Sequence, residues 1–93
     1  MERKELYQAV KDRNAYMLFR NLEVELSSAH LDGTNIHGSK SLRAVLYSMA
    51  NLYKMGDFPT TETMSEFKER DKILFDTAMD KVLEAVNNYR VKI

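Results

Sequence analysis

Residues 2–31, ERKELYQAVKDRNAYMLFRNLEVELSSAHL, decide how the fold is read. Taken as one helix at 100° per residue, the stretch is apolar on two sides. Ala15, Leu18, Phe19, Leu22, Leu26 and Ala29 form one stripe. Leu6, Val10, Met17, Val24 and Leu31 form a second, about 160° away by the same geometry. An amphipathic helix of a small protein needs only one apolar face. The second stripe therefore predicts a covering partner, and self-association into a dimer or higher species is expected. Arg13 and Arg20 flank this stripe and are counted with Leu6, Val10, Met17, Val24 and Leu31 as candidate self-association residues.

Downstream, the breaks fall at the few turn residues. Asp32-Gly33 is expected to close the first helix, with Gly33 suited to a left-handed position after the helix end. The polar stretch Gly33-Thr34-Asn35-Ile36-His37-Gly38 reads as a loop. Ser39 or Ser41 is expected to cap a second helix. Its apolar residues Leu42, Val45, Leu46, Met49, Leu52 and Tyr53 recur on one face at helical spacing. Gly56-Asp57-Phe58-Pro59 ends it, because Pro59 has no N–H to give a continuing helix and biases Phe58 to an extended backbone.

A third helix is expected from between Thr60 and Thr63, where Thr63-Met64-Ser65-Glu66 spells a capping box. Its core face comprises Met64, Phe67, Leu74, Phe75, Ala78, Val82, Ala85, Val86 and Tyr89. Glu66, Glu69, Lys72, Asp76, Asp80 and Glu84 form the opposite, solvated face. Glu66 with Arg70 and Lys72 with Asp76 stand at i,i+4 and are expected to pair. Asp71 falls among the apolar positions, where a carboxylate needs a partner, and Arg13 or Arg20 is expected to supply it. The tail Arg90-Val91-Lys92-Ile93 is expected to fray. No segment alternates with the period of a strand. The sequence thus predicts an all-α fold, a small antiparallel bundle of three helices (one long N-terminal, one medium, one long C-terminal) completed by oligomerisation. One helical domain spanning 1–93 is expected.

Composition narrows the chemistry. Fourteen Lys and Arg balance fourteen Asp and Glu, for a formal net charge of zero. That balance opposes bulk attraction to nucleic acid, which is not expected as a partner. With no Cys in the chain, disulfides, thiolate metal sites and cysteine nucleophiles are excluded. No apolar run approaches the roughly 18 residues of a membrane span, and the N-terminal residues do not resemble a signal peptide. A soluble, cytoplasmic protein without membrane association is expected.

The motifs that suggest a site are modest. The run from Gly33 to Ser41 nearly spells a phosphate-binding P-loop, but carries one extra residue before Lys40 and follows a helix where the motif requires a strand. What remains is a helix start with unpaired N–H groups beside Gly38, Ser39, Lys40, Ser41 and His37, a candidate anion-binding set. The simpler reading is a serine-capped helix with a solvated lysine. His30, Asp32 and His37 could in principle ligate a metal, but nothing fixes their geometry across a glycine loop, so neither metal nor cofactor is expected.

The second and third helices could imitate a helix-turn-helix. Glu62, Glu66 and Glu69 would then face the phosphates, so a plain helical hairpin fits better. Two His in one region supply no nucleophile constellation. Tyr47, on the polar side of the second helix near Asn51, is a candidate exposed partner contact together with Asn51. The expectation is a non-enzymatic helical interaction protein, of the kind phages and mobile elements use as regulators or inhibitors of host macromolecules. It would bind a protein partner and self-associate. The alternative is a binder of an anionic metabolite or nucleotide at the 33–41 loop.

Overall fold

A computed structural model describes residues 1–31 and 39–93, with the side chains of 29–31 and 39 left out of the description. Among the described residues the fold is all-α. It contains five helices: α1 (Arg3–Val10), α2 (Ala15–Leu31), α3 (Ser39–Lys54), α4 (Met64–Arg70) and α5 (Lys72–Tyr89). The expected three helices become five because the first and the third are each broken by a polar residue acting as a cap.

The first break overturns the continuous helix from Glu2 to Leu31. α1 closes at Lys11, whose N–H donates to the Tyr7 carbonyl at 2.8 Å. Asn14 then caps α2: its Oδ1 accepts from Met17 N at 3.0 Å, and its backbone carbonyl accepts from Leu18 N. The chain between the helices is clasped to the start of α4. Ala15 N donates to Glu62 O, Met64 N to Arg13 O and Ser65 N to Lys11 O, each at 2.9 Å. The Asn14 amide adds a bond to Thr60 O at 2.9 Å. These bonds satisfy first-turn N–H groups of both α2 and α4, which have no partner within their own helices.

The break also resolves the two-stripe pattern. Leu6 and Val10 are wholly buried in the same core as Ala15, Leu18, Phe19, Leu22 and Leu26. The chain covers them with its own helices. Of the candidate self-association set, Met17 and Val24 stay exposed, at 49% and 45%. Arg13 donates to Ile93 O at 2.5 Å and Arg20 pairs with Glu23 at 2.7 Å. The Leu31 side chain lies outside the described residues. The long uncovered stripe that motivated self-association is therefore absent, and only its α2 portion faces outward.

The second break falls at Asp71. This residue ends α4 and caps α5, with φ −150° and ψ 87°. Its N–H still donates to Phe67 O, and its side chain accepts from Leu74 N at 3.0 Å. Asp71 is half-buried and serves the backbone; the expected partners Arg13 and Arg20 are engaged elsewhere.

Several local expectations match. α3 ends in a Schellman arrangement: Gly56 N donates to Tyr53 O, Asp57 N donates to Leu52 O, and Gly56 takes φ +81°. Only glycine enters that backbone region without cost. Ser41 lies inside α3 and is not its cap, whereas the position before Ser39 is outside the described residues, as is Gly33. The capping box at α4 is complete, with Glu66 N donating to Thr63 Oγ1 and Thr63 N donating to Glu66 Oε1.

Those bonds, the one from Thr63 N foremost, hold the exposed Glu66 carboxyl below the ordinary glutamate range. The depressed value means that the cap's contribution is present above the unfolded glutamate pKa and is lost as pH falls through the folded one. Carbon-detected NMR titration is expected to give Glu66 a midpoint below the ordinary glutamate range, and Thr63→Ala to raise it into that range at a stability cost of about 1 kcal/mol. Equal midpoints in wild type and variant would show that the box does not form in solution.

The core is a chain of aromatic rings. Tyr7, Phe75, Phe67 and Phe19 follow one another in edge-to-face contact, with centroids 5.8, 5.7 and 6.1 Å apart. Phe58 joins Phe67 to Tyr53. Met79 is fully buried. The tail does not fray: Arg90 takes a left-handed turn at φ 53°, and Val91 is buried. Lys92 N donates to Glu25 Oε2 at 3.0 Å.

One buried polar cluster was not expected. Glu62, 5% exposed, accepts from the Tyr53 hydroxyl at 2.7 Å and from Arg70 Nε and Nη2 at 2.7 and 3.0 Å. Arg70 stacks over Phe58 with its guanidinium carbon 3.8 Å from the ring centroid. Arg70 thus pairs with Glu62 and not with Glu66. Burial, reinforced by the neighbouring carboxylate, pushes the Tyr53 hydroxyl well above the ordinary tyrosine range.

Candidate anion-binding hollow

α1 lies antiparallel to α5. Met1 meets Asn87, Arg3 meets Asp80 and Asp76, and Tyr7 meets Phe75. This pairing follows from the break at residues 11–14, which lets α1 fold back and bury Leu6 and Val10. It also brings together residues far apart in sequence. Arg3, Lys4 and Tyr7 from α1, Lys68 from α4, and Lys72, Phe75, Asp76 and Met79 from α5 line an open hollow of about 430 Å³. On α5 these residues recur at helical spacing, which places them on one side of that helix.

The hollow has an apolar floor and a cationic rim. Phe75 and Met79 are buried and Tyr7 is half-buried. Four cations of the lining face one carboxylate, Asp76. Lys72 Nζ holds both Asp76 oxygens at 2.8 Å, and Arg3 Nη1 reaches Oδ1 at 3.2 Å. Arg3 Nη2 also pairs with Asp80. The Lys72 hydrogen bond, with Arg3 and Lys68 nearby, holds the Asp76 carboxyl below the usual aspartate range. Lys68 does not meet a carboxylate; its ammonium sits 4.5 Å from the centroid of the Tyr7 ring. Two of the four cations thus share the carboxylate, one rests on a ring, and Lys4 is drawn into none of these contacts.

Groups of these kinds are the ones that recognise anions. Ammonium groups act as mobile point charges toward phosphate or carboxylate, and a guanidinium adds directional donors. A second hollow, of about 240 Å³, is lined by Tyr16, Tyr53, Lys54 and Thr60. It offers one cation, and its Tyr53 hydroxyl is committed to Glu62.

None of the described residues singled out from sequence as binding an anion or a partner lines this hollow. His37 and Gly38 lie outside the described residues, as do Asp32 and the side chains of His30 and Ser39. Lys40 and Ser41 are exposed in the first turn of α3. Tyr47 is 49% exposed, and Asn51 donates weakly to Met55 Sδ at 3.7 Å. Sequence reading placed Lys72 and Asp76 together, and they do pair, but it assigned that face to plain solvent. Arg3, Lys4 and Tyr7 carried no signal, because only the fold-back of α1 brings them to α5.

Among the described residues, no three His, Cys, Asp or Glu side chains converge in a way that could hold a metal ion. No helix among them is long and apolar enough to cross a membrane. No family model, no curated protein and no solved structure matches this chain.

Proposed function

We propose that this chain is a non-enzymatic binding protein that acts by occupancy and takes an anionic partner in the hollow between α1, α4 and α5. The observation that carries this reading is the convergence of Arg3, Lys4, Lys68 and Lys72 on one open hollow beside the half-buried Tyr7 ring. Three helices bring these cations to one concavity, where Asp76 and Asp80 answer Arg3 and Lys72 while Lys68 rests on the Tyr7 ring. This moves the anionic-ligand reading away from the 33–41 loop and keeps the expectation of a binding protein.

The reading is tested by amide-resolved NMR titration with inorganic pyrophosphate and with a hexaglutamate peptide at low ionic strength. Shifts are expected at Lys4, Tyr7, Lys68 and Lys72, weakening as salt rises. Lys4→Glu combined with Lys68→Glu is expected to reduce affinity at least tenfold while leaving the circular dichroism spectrum unchanged. If neither anion perturbs these amides, or if the shifts gather at Lys40 and Ser41, the hollow is not the site.

A further inference from the structure

We propose that an anion in this hollow straps α1 to the rest of the chain, so that occupancy and the docking of α1 control each other; this rests on the anion-binding reading above. The first observation is how the hollow is divided. Arg3, Lys4 and Tyr7 come from α1, whereas Lys68 comes from α4 and Lys72 from α5. The two walls are separate pieces of chain, and the hollow exists only while α1 is docked.

The second is how α1 is held. Its eight residues are too few for a helix that is stable alone, so α1 persists by packing. Leu6 and Val10 are buried, and Arg3 pairs with Asp76 and Asp80 of α5. Just beyond α1 the chain is pinned: Ser65 N donates to Lys11 O and Met64 N to Arg13 O, each at 2.9 Å. Helices α2, α3 and α5 pack on one another without α1. Lifting α1 about Lys11 is therefore a local opening, which costs less than unfolding the whole chain.

The third is unanswered charge on both walls. Asp76 serves Arg3 and Lys72, and Asp80 serves Arg3. Among the described residues neither Lys4 nor Lys68 meets a carboxylate, and Lys68 has the Tyr7 ring alone. These two ammonium groups, one on each wall, repel. An anion between them attracts both walls and leaves the pairs of Arg3 in place. It binds the docked state more tightly than the open one, and the coupling is mutual.

Amide hydrogen exchange of the wild-type chain at low ionic strength, followed by NMR, decides this with inorganic pyrophosphate as the probe. Without anion, the amides of Gln8, Ala9 and Val10 are expected to exchange faster than those of Leu46 and Ala50 in α3. At ten times its dissociation constant, pyrophosphate should slow the α1 amides at least fivefold, out of the roughly tenfold that linkage allows. Sodium chloride at the same ionic strength should not slow them, since it screens charges without joining the walls. Lys4→Gln, compared at equal fractional saturation, should lose most of the slowing. Full slowing in that variant, or equal slowing by chloride, would overturn the strap. So would α1 amides that exchange no faster than those of α3 without anion. Pyrophosphate that shifts the Lys68 and Lys72 amides but leaves α1 exchange unchanged would overturn the strap and keep the anion site. No shift at any lining residue would overturn both.

Discussion

Truncation of Phe67 to Ala is expected to cost about 3–5 kcal/mol, the range for removing a buried phenyl ring. Phe67 is fully buried and meets Phe19 and Phe75 edge to face, with Phe58 tilted beside it. It therefore joins rings from α2, from α5 and from the chain between α3 and α4. Its loss removes transfer energy, opens a cavity among side chains that cannot all relax into it, and deletes three ring contacts at once. Proteins of this size hold about 5–15 kcal/mol in total. A chain near the lower end would populate the unfolded state measurably at room temperature. Each kcal/mol lost should lower the melting point by roughly 4–8 °C. Urea unfolding followed by circular dichroism gives the value. A loss below about 1 kcal/mol, no more than an ordinary substitution, would mean that Phe67 is not at the centre of the core. Phe58→Ala is the internal control, since Phe58 is only half-buried and should cost less.

Phe67 was legible as core from its spacing alone, and so were most apolar positions of α3 and α5. Periodicity reports which face of a helix is buried, and those faces are. The helix breaks were not legible, for a physical reason. A polar residue capping a helix and a polar residue on a solvated face look alike in sequence when helical pattern continues on both sides. At Lys11–Asn14 the backbone leaves the helix and resets its phase. Leu6 and Val10 therefore seem to oppose Leu18 and Phe19 on a continuous wheel, yet all four enter one core. The apparent second stripe was the mark of that reset. Asp71 carried the same signal in another form. An aspartate among apolar positions predicts either a buried ion pair or a cap, and the cap costs less, since its carboxylate stays half-exposed and accepts a backbone N–H that would otherwise lack a partner.

The hollow was hidden by the same error. Of its α4 and α5 residues, Lys72 and Asp76 were visible on a charged face, but an unbroken N-terminal helix carries Arg3, Lys4 and Tyr7 away from them. Once α1 folds back on α5, the charges meet. The hollow is thus a consequence of two caps and a clasp, and any change that straightens residues 11–14 should abolish α1 packing and the hollow together.

The cluster of Tyr53, Glu62 and Arg70 leads to the other large effect: Arg70→Ala should destabilise by about 3–5 kcal/mol, and more than Glu62→Gln does. The asymmetry follows from burial. The Glu62 side chain is 4% exposed, whereas that of Arg70 is 30% exposed. Removing the arginine leaves a carboxylate in the interior with only the Tyr53 hydroxyl to answer it. Breaking a buried pair in that way is costly because the surviving charge stays desolvated. Replacing Glu62 with Gln leaves a neutral side chain of the same size that can still accept from Tyr53, while the arginine head turns to water; about 1–3 kcal/mol is expected. Arg70→Lys should fall between the two, since an ammonium gives neither the two-point bond nor the stacking on Phe58. Glu62 also provides the backbone carbonyl that accepts from Ala15 N, so the cluster anchors the clasp on which the fold-back of α1 depends. Hydrogen exchange at the amides of Ala15, Met64 and Ser65 is therefore expected to quicken in Arg70→Ala beyond the change at Leu22 in mid-α2. Equal costs for Arg70→Ala and Glu62→Gln would place Glu62 in water and remove the cluster from the forces that shape this fold.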